Sequence, residues 1–364
     1  MTAISIDVLP AARGDCLWIE CTRPVGPPWR LLIDGGMPGS WPLLRDRIDR
    51  LSATGPVVFD LAVVSHIDSD HIGGMLPLFA ATNLDVSFKD LWFNGLQQLP
   101  DNNGMRSRSV AEGEQLVELL TGQQGARKLP WNASFGGAAV MTRGDGMFET
   151  IVIPGGPTLT LLSPTPRRLA SLRRTWMTDL LRLQRGESDG PQEPAVAMPF
   201  DNLATLAAID TPRDQSVANG SSIAFLLEHM GRRCLFAADA FSSVLGAALT
   251  SLANSRDGRP IELDVFKLPH HCSKGNVTAN LLAVAPAEHY VVSTNGERFH
   301  HPDDIALARV ATGPAPQPTI WFNYASDTAQ RWSDPALHAK YRFTTRLPDS
   351  KSGPGVLIEL QAKQ

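Results

Sequence analysis

The sequence predicts an α/β fold, and three observations carry that prediction. Strand signals separated by tight turns crowd the opening of the chain, apolar strands alternate with helical stretches later on, and clusters of histidine and aspartate stand just past several strands. The 364 residues, 43% of them hydrophobic, suffice for one large domain or two small ones. The β-to-α rhythm breaks over 166–218 and then resumes, so we expect a single domain over 1–364 with an insertion at 166–218.

The first strands are expected at 4–9, at 16–21 after the turn Arg13-Gly14-Asp15, and at 30–33, which runs into Asp34-Gly35-Gly36. A helix follows over 41–51. A strand over 57–64 then ends in the buried run Leu61-Ala62-Val63-Val64. Ser109-Val110-Ala111-Glu112 has the form of a capping box ahead of Leu116, Val117, Leu119 and Leu120, with Gly122 as the stop. Strands at 150–153 and 158–162 flank Pro154-Gly155-Gly156-Pro157 as a hairpin.

Leu169, Leu172, Trp176, Leu180 and Leu183 recur three and four residues apart, the stripe of an amphipathic helix. Arg167, Arg168, Arg173, Arg174, Arg182 and Arg185 accompany it against one acidic residue, Asp179. Its exposed face is therefore basic. That face suits phosphate or a protein partner, although solvated arginines beside a core stripe are the commoner arrangement. Residues 186–199, rich in glycine, proline and acid, read as a flexible loop. Further strands are expected at 223–227, 233–237, 263–268, 319–323, 341–345 and 356–360.

The formal net charge of −4 argues against a generally basic nucleic-acid coat and leaves room for a local basic groove. No run reaches the length of a membrane span, and the opening residues lack the basic start and apolar core of a signal peptide. A cytoplasmic protein without membrane contact is expected. Cys16, Cys21, Cys234 and Cys272 form no CxxC pair and are expected to be free, buried thiols, Cys272 as a small packing residue.

Six of the nine histidines fall into the pairs His66/His71, His270/His271 and His300/His301, each beyond an apolar strand, and Cys234-Leu235-Phe236-Ala237-Ala238 ends in Asp239. The segment Ser65-His66-Ile67-Asp68-Ser69-Asp70-His71-Ile72-Gly73-Gly74 crowds four metal-capable side chains into six positions. Such density directly after a buried strand fits one or two cations that activate water. His229, His289 and His338 read as ordinary histidines. Asn219 and Ser222 either hold a substrate phosphate or cap a strand, and Gly35-Gly36 reads as a tight turn because no P-loop lysine follows.

His66-x-Asp68-x-Asp70-His71 resembles the H-x-H-x-D-H signature of the metallo-β-lactamase superfamily, with the second histidine replaced. With Gly73-Gly74, Asn219-Gly220-Ser221-Ser222, Ala238-Asp239-Ala240, Leu268-Pro269-His270-His271-Cys272-Ser273-Lys274 and His301-Pro302, the chain resembles the C-terminal metallohydrolase domain of the ComEC competence channel and its free-standing relatives. The resemblance runs in order over nearly the whole chain outside 166–218. It departs at Ala238 and at Cys272, where the family usually has glycine, and both departures bear on local backbone geometry.

The resemblance implies a four-layer αββα sandwich and two divalent metal ions. In that pattern His66 and Asp68 hold one metal, Asp70 and His71 the other, and Asp239 bridges them. His271 or its neighbour His270 completes the second, and His301 faces the substrate as a ligand or donor. Asp34 resembles the family carboxylate that orients a ligating imidazole. Between His71 and Asp239 the only histidine is His229, on the far side of a strand, so the first site is expected to be rich in oxygen. Manganese, or a mixed site, is then expected over tightly held dizinc, with magnesium also admissible.

The implied activity is hydrolysis by a metal-bridging hydroxide, with Asp70 also able to take up a proton. Phosphodiester cleavage by a nuclease or phosphodiesterase is the first expectation. Hydrolysis of a lactone, thioester or β-lactam is the alternative on the same fold, and a non-enzymatic metal-binding partner protein another. A carboxylate at the second motif position also resembles the flavo-di-iron proteins, although this chain has no flavodoxin-like domain. The expected partners are a phosphodiester substrate, nucleic acid included, and a protein bound through the Arg-rich 166–218 segment.

Overall fold

The structure is a computed structural model that describes residues 1–99, 111–122, 129–184, 202–297, 299–349 and 353–363. Ser109 of the expected capping box, Arg185 and the expected loop over 186–199 lie outside the described residues, as do the side chains of Glu112, Asp179, Leu180, Arg182 and Leu183.

In chain order come β1 (Thr2–Val8), β2 (Leu17–Cys21), β3 (Trp29–Ile33), α1 (Trp41–Ser52), β4 (Val57–Phe59), β5 (Leu61–Val63), α2 (Ser69–Ile72), α3 (Met75–Ala80), β6 (Val86–Phe88), β7 (Leu91–Trp92), α4 (Ala111–Thr121), β8 (Thr150–Val152) and β9 (Thr158–Ser163). After them lie α5 (Pro166–Gln184), α6 (Leu203–Ala207), α7 (Val217–Gly220), β10 (Ala224–His229), β11 (Arg232–Phe236), α8 (Ser242–Ser255), β12 (Leu263–Lys267), α9 (Ala279–Val284) and β13 (Ala287–Val292). The chain closes with α10 (Asp304–Ala311), β14 (Thr319–Phe322), α11 (Asp327–Trp332), α12 (Pro335–Tyr341), β15 (Thr344–Arg346) and β16 (Val356–Gln361).

The strands form two large sheets, ordered β16-β1-β2-β3-β5-β7 and β15-β14-β13-β12-β11-β10-β9-β8. Both follow one plan. An antiparallel run, β16-β1-β2-β3 in the first and β8-β9-β10-β11 in the second, continues into parallel strands, β3-β5-β7 and β11 through β15.

Strand alternation explains the four layers. Leu31, Ile33, Leu61 and Val63 face the second sheet and pack with Phe225, Leu227, Cys234, Phe236 and Val265, whereas Leu32 and Ala62 point the other way. Those outward residues pack under Leu44 and Ile48 of α1, Met75 and Leu78 of α3, and Leu116 and Leu120 of α4. On the far side Leu226, Leu235, Phe266, Tyr290 and Ile320 carry α8 through α12 by way of Leu245, Leu281, Leu307 and Trp332. Helix, sheet, sheet and helix therefore stack as an αββα sandwich whose central layer is apolar.

Three expectations needed revision or extension. The strand expected over 57–64 is two strands: β4 pairs with β6 in a separate ribbon, and β5 joins the first sheet. Asp60 stands at the step, accepting the Arg30 N–H at 3.0 Å and the Lys89 ammonium at 2.7 Å, and so ties the break to the surface. The strand expected over 341–345 begins only at Thr344. Asp334 caps a helix led by Pro335, accepting the Ala336 N–H at 2.8 Å, and Arg342 ends that helix at φ 59°.

The basic helix α5 is built into the sandwich. Leu169, Leu172 and Trp176 enter the core above the first sheet, and Arg173 donates to the carbonyls of Leu96 and Leu99. Although α5 follows β9 of the second sheet, it packs in the opposite helical layer.

Candidate metal centre

Parallel strands bring their carboxyl ends to one edge, and in α/β sheets that edge is where ligands bind. From the first sheet, β3 ends at Asp34 and β5 runs through Ser65 and His66 into α2, which carries Asp70 and His71. From the second, β11 leads to Asp239, β12 to His270 and His271, and β13 to Ser293. The register Phe236, Lys267, Val291 aligns these three ends, so both sheets deliver polar groups to one place.

Close backbone packing sets the local geometry. A Cβ on Gly74 would lie 2.0 Å from the Gly35 carbonyl oxygen, and one on Gly14 would lie 1.7 Å from that of Asp70. Only hydrogen fits there. The loops after β1, β3 and β5 can therefore touch, bridged by Gly35 N–H to the His71 carbonyl at 2.8 Å and Asp15 N–H to the Asp70 carbonyl at 3.2 Å. On the second sheet Ala238, His270, His271 and Cys272 sit at φ 44°, 48°, 51° and 69°. Left-handed backbone costs an L-residue about 1–2 kcal/mol, so the two positions where glycine was expected do call for it, yet Ala238 and Cys272 occupy them.

The rings are fixed from behind. His71 presents Nδ1 to Asp34 Oδ2 at 2.8 Å, and Asp34 also accepts from the Ser65 N–H and hydroxyl, each at 2.7 Å. His271 presents Nδ1 to the Ser293 carbonyl at 2.8 Å, with Asp15 Oδ1 3.4 Å away. His270 turns Nδ1 toward Asn276 Oδ1 at 3.1 Å and Asp214 Oδ2 at 3.3 Å. Each Nδ1 is occupied, which leaves Nε2 to point inward.

Around the centre, His71 Nε2 lies 3.4 Å from Asp239 Oδ1, while His271 Nε2 lies 3.5 Å from Asp70 Oδ2 and 3.6 Å from Asp239 Oδ2. His270 Nε2 is 3.8 Å from Asp239 Oδ2. The Nε2 atoms of His66, His71 and His271 and Oδ1 of Asp239 are buried and make no hydrogen bond. Buried polar atoms without partners are costly, and four converging on one point are what a cation would satisfy. His66, His71 and Asp239 form one compact trio of donors, and Asp70, His71 and His271 form another.

The placement differs in part from the expected division. His71 belongs to both trios and stands beside His66, with ring centroids 4.2 Å apart. Asp68 stands at the margin: its side chain is 42% exposed, its Oδ2 is 3.6 Å from His66 Nε2, and it joins no compact trio among the described residues. The first trio is thus less rich in oxygen than the sequence indicates. Both members of the His270/His271 pair reach Asp239, but only His271 also reaches Asp70. His301 packs against His270, ring centroids 5.2 Å apart, with Nδ1 3.3 Å from Asp303 Oδ2, whereas His300 is exposed.

Charge reinforces this picture. Burial disfavours a charged His71, yet Asp239 and Asp34 outweigh it and hold the ring well above its ordinary value. Burial also opposes charge on His271, and Asp239 and Asp15 together raise it to about 9. Burial would raise Asp239, but His271 and His71 hold it well below the usual carboxylate range. Burial lowers His301 below its ordinary value, which favours the neutral ring. The acids carry charge that protons now balance and cations could balance instead.

Sequence reasoning missed four residues of this centre. Asp15 and Lys267 form an ion pair about 1% exposed beneath His271, and Asp214 and Asn276 hold His270. Asp15 read as part of a turn and Lys267 as part of an apolar strand; a lysine inside such a strand is itself a signal of a buried partner. Asn219 serves the same support, donating to Asp214 Oδ2 at 2.8 Å, and both Asn219 and Ser222 are buried. All four cysteines are free and buried, and burial pushes Cys272 well above its ordinary value. Among the described residues no helix is long and apolar enough to cross a membrane.

No protein-family model and no curated protein matches this sequence. Solved structures offer distant likenesses. The metallo-beta-lactamase fold protein YhfI from Bacillus subtilis is 10% identical, over 86% of this chain and 94% of that one, with a TM-score of 0.40. Zn(2+)-bound PqqB from Methylobacterium extorquens is 13% identical over 98% and 100%, with a TM-score of 0.42. CmlA, a diiron beta-hydroxylase from Streptomyces venezuelae, is 10% identical over 99% of this chain and 55% of its own, with a TM-score of 0.41. The fold assignment rests on the layers described above.

Proposed function

We propose that the protein is a metal-dependent hydrolase of the metallo-β-lactamase superfamily that cleaves phosphodiesters. One observation carries the metal reading: the buried Nε2 atoms of His66, His71 and His271, which make no hydrogen bond, meet Asp239 at the carboxyl ends of strands from both sheets. In this reading His66, His71 and Asp239 hold one divalent cation, and Asp70, His271 and Asp239 hold a second, with His270 at the border and Asp68 as an outer contact. The mixed nitrogen and oxygen donors suit zinc or manganese. Divalent cations placed there lower the pKa of water toward neutrality and offset the charge of a phosphodiester.

The chain's own groups then have distinct tasks. Asp34 and Ser293 fix the tautomers of His71 and His271 so that Nε2 keeps a lone pair directed inward. Burial would raise Asp70, but His271 and His71 hold its carboxyl well below the usual carboxylate range, so it stands ionised as a donor toward a cation, 3.5 Å from His271 Nε2. His301, packed beside His270, turns Nδ1 toward Asp303 Oδ2 at 3.3 Å, so its neutral ring offers the other nitrogen as a hydrogen-bond acceptor. The phosphodiester preference rests on the ordered motif resemblance over nearly the whole chain.

The test combines metal analysis of the purified protein with incubation against bis-p-nitrophenyl phosphate, DNA, RNA and cyclic nucleotides in manganese, zinc or magnesium. Cleavage is expected with manganese or zinc, and Asp70→Ala should reduce it by about 100-fold or more. A metal-loaded protein that cuts none of these sinks the phosphodiester reading, and turnover of a lactone or thioester in its place would shift the assignment to ester chemistry.

A further inference from the structure

We propose that the groove between α5, one flank of α8 and the loop over 142–148 is a binding track for single-stranded nucleic acid. The proposal rests on the phosphodiesterase reading and deepens it, by naming a polymeric substrate and the surface that would hold it away from the metals.

The groove encloses about 1000 Å³ and is lined by Arg143, Arg167, Arg168 and Arg174, with no carboxylate among its described lining residues. Arg143 is tied to Asp145 at 2.8 Å. Arg167, Arg168 and Arg174 make no ion pair among the described residues; Arg174 donates to Ser171 Oγ at 2.9 Å, and Arg168 lies over the Phe241 ring, 4.5 Å from its centroid. Three guanidinium groups sharing a concave surface without counter-charge among the described residues repel one another, and a polyanion relieves that repulsion. The chain as a whole carries a formal net charge of −4, so this basic surface is local.

Its shape favours a strand over a small anion. Arg167 and Arg174 lie seven residues apart on one face of α5, about 10 Å along the helix axis at ~1.5 Å per residue. That spreads charge along the groove. Helix α8 forms the facing wall with Ser243, Val244, Ala247, Ala248 and Ser251, a flank that carries no acidic side chain. Met147, 65% exposed, and the half-buried Phe148 supply apolar surface in the same groove. Unpaired bases need such surface, whereas the bases of a duplex are already stacked.

The groove also adjoins the metal centre. Phe241, the platform under Arg168, stands two residues past Asp239, and its ring packs on Gly220. Gly220 follows Asn219, whose amide lies 3.4 Å from His270 Nδ1. The Arg168 stem rests against the same glycine, its Cδ 3.5 Å from where a Cβ would stand. A strand lying on the arginines would thus run beside the segment that holds His270.

Fluorescence anisotropy of the full chain in EDTA, with a labelled 20-mer of single-stranded DNA, its RNA equivalent and the matching duplex, tests this. The R167E/R174E variant, checked for an unchanged melting temperature, should bind either single strand at least about 10-fold more weakly. Its slope of log affinity against log salt should be shallower by about 1.4, for two lost phosphate contacts at ~0.7 each. R167A/R174A loses the same two contacts without adding negative charge, and should show the same shallower slope with a smaller loss of affinity. The same variants should hydrolyse bis-p-nitrophenyl phosphate at the wild-type rate. Equal affinity and slope in wild type and variants overturn the track, as does a wild type that binds no oligonucleotide at low salt and takes up an acidic protein instead. Duplex bound as tightly as single strand overturns the single-strand assignment. Arginine-dependent binding by a protein that cuts no diester leaves the track standing and removes the phosphodiesterase reading alone.

Discussion

His71 is clasped between two carboxylates, Asp34 behind and Asp239 in front, so its ring direction is set before any cation arrives. Asp34→Asn keeps an acceptor for the Ser65 amide but weakens the grip on His71 Nδ1. We expect metal affinity to fall about 10- to 100-fold with the fold retained, as read by chelator competition and circular dichroism. Unchanged affinity would remove Asp34 from the support of the site. His271, raised to about 9 in the metal-free centre, carries a proton at neutral pH that a cation must displace. Metal uptake should therefore release protons, and apparent affinity should rise with pH until about 9; calorimetry in buffers of different ionisation enthalpy reads the release. For the metal-free fold the sign is opposite. A folded value above the ordinary 6.5 contributes stability that is fully present below 6.5 and lost as pH rises through about 9. His66, Asp70, His71 and His271 could be singled out because they stand in dense motifs after apolar strands, and Asp239 because it ends one. Asp15 was not, because its meaning depends on Lys267, far along the chain.

At the level of elements, contact between loops sets the site as much as the strands do. The Gly73-Gly74 pair entered the sequence analysis only as part of a motif, yet Gly74 lets the end of α2 press on the loop after β3, where a Cβ would meet the Gly35 carbonyl oxygen at 2.0 Å. Gly74→Ala should force the two loops apart, costing roughly 2–4 kcal/mol in denaturant unfolding and lowering metal stoichiometry together with stability. Loss of stability alone would mean that the loops move without disturbing α2. Most strands matched their signals because alternation or an apolar run marks them directly, as at Leu31-Leu32-Ile33. The misreading over 57–64 came from a break that polarity alone does not mark, since Asp60 fits a strand until its partners Arg30 and Lys89 are known. Residues 341–345 misled because Tyr341 and Phe343 favour strands locally, whereas the capped helix that precedes Thr344 runs on through Tyr341.

Across the whole molecule, α5 crosses from the second sheet to the helical layer over the first, and Trp176 is fully buried there. Trp176→Ala should cost about 3–5 kcal/mol and keep a single unfolding transition followed by circular dichroism and tryptophan fluorescence. Two separate transitions would show that the helix is dispensable to the rest, as a detachable insertion would be. Such a crossover is hard to read from sequence, because the Leu169, Leu172, Trp176 stripe announces a buried face without saying which layer buries it. The candidate metal centre joins the two sheets in another way: His66 and His71 hang from the first, Asp239 and His271 from the second. A cation shared by those side chains would rivet the sandwich at one rim, adding about 2.7 kcal/mol at a free concentration 100 times its dissociation constant. The working lifetime of the protein would then follow the supply of metal: starved of it, the rim would part first and admit proteases, so availability of a nutrient ion would govern abundance as well as turnover.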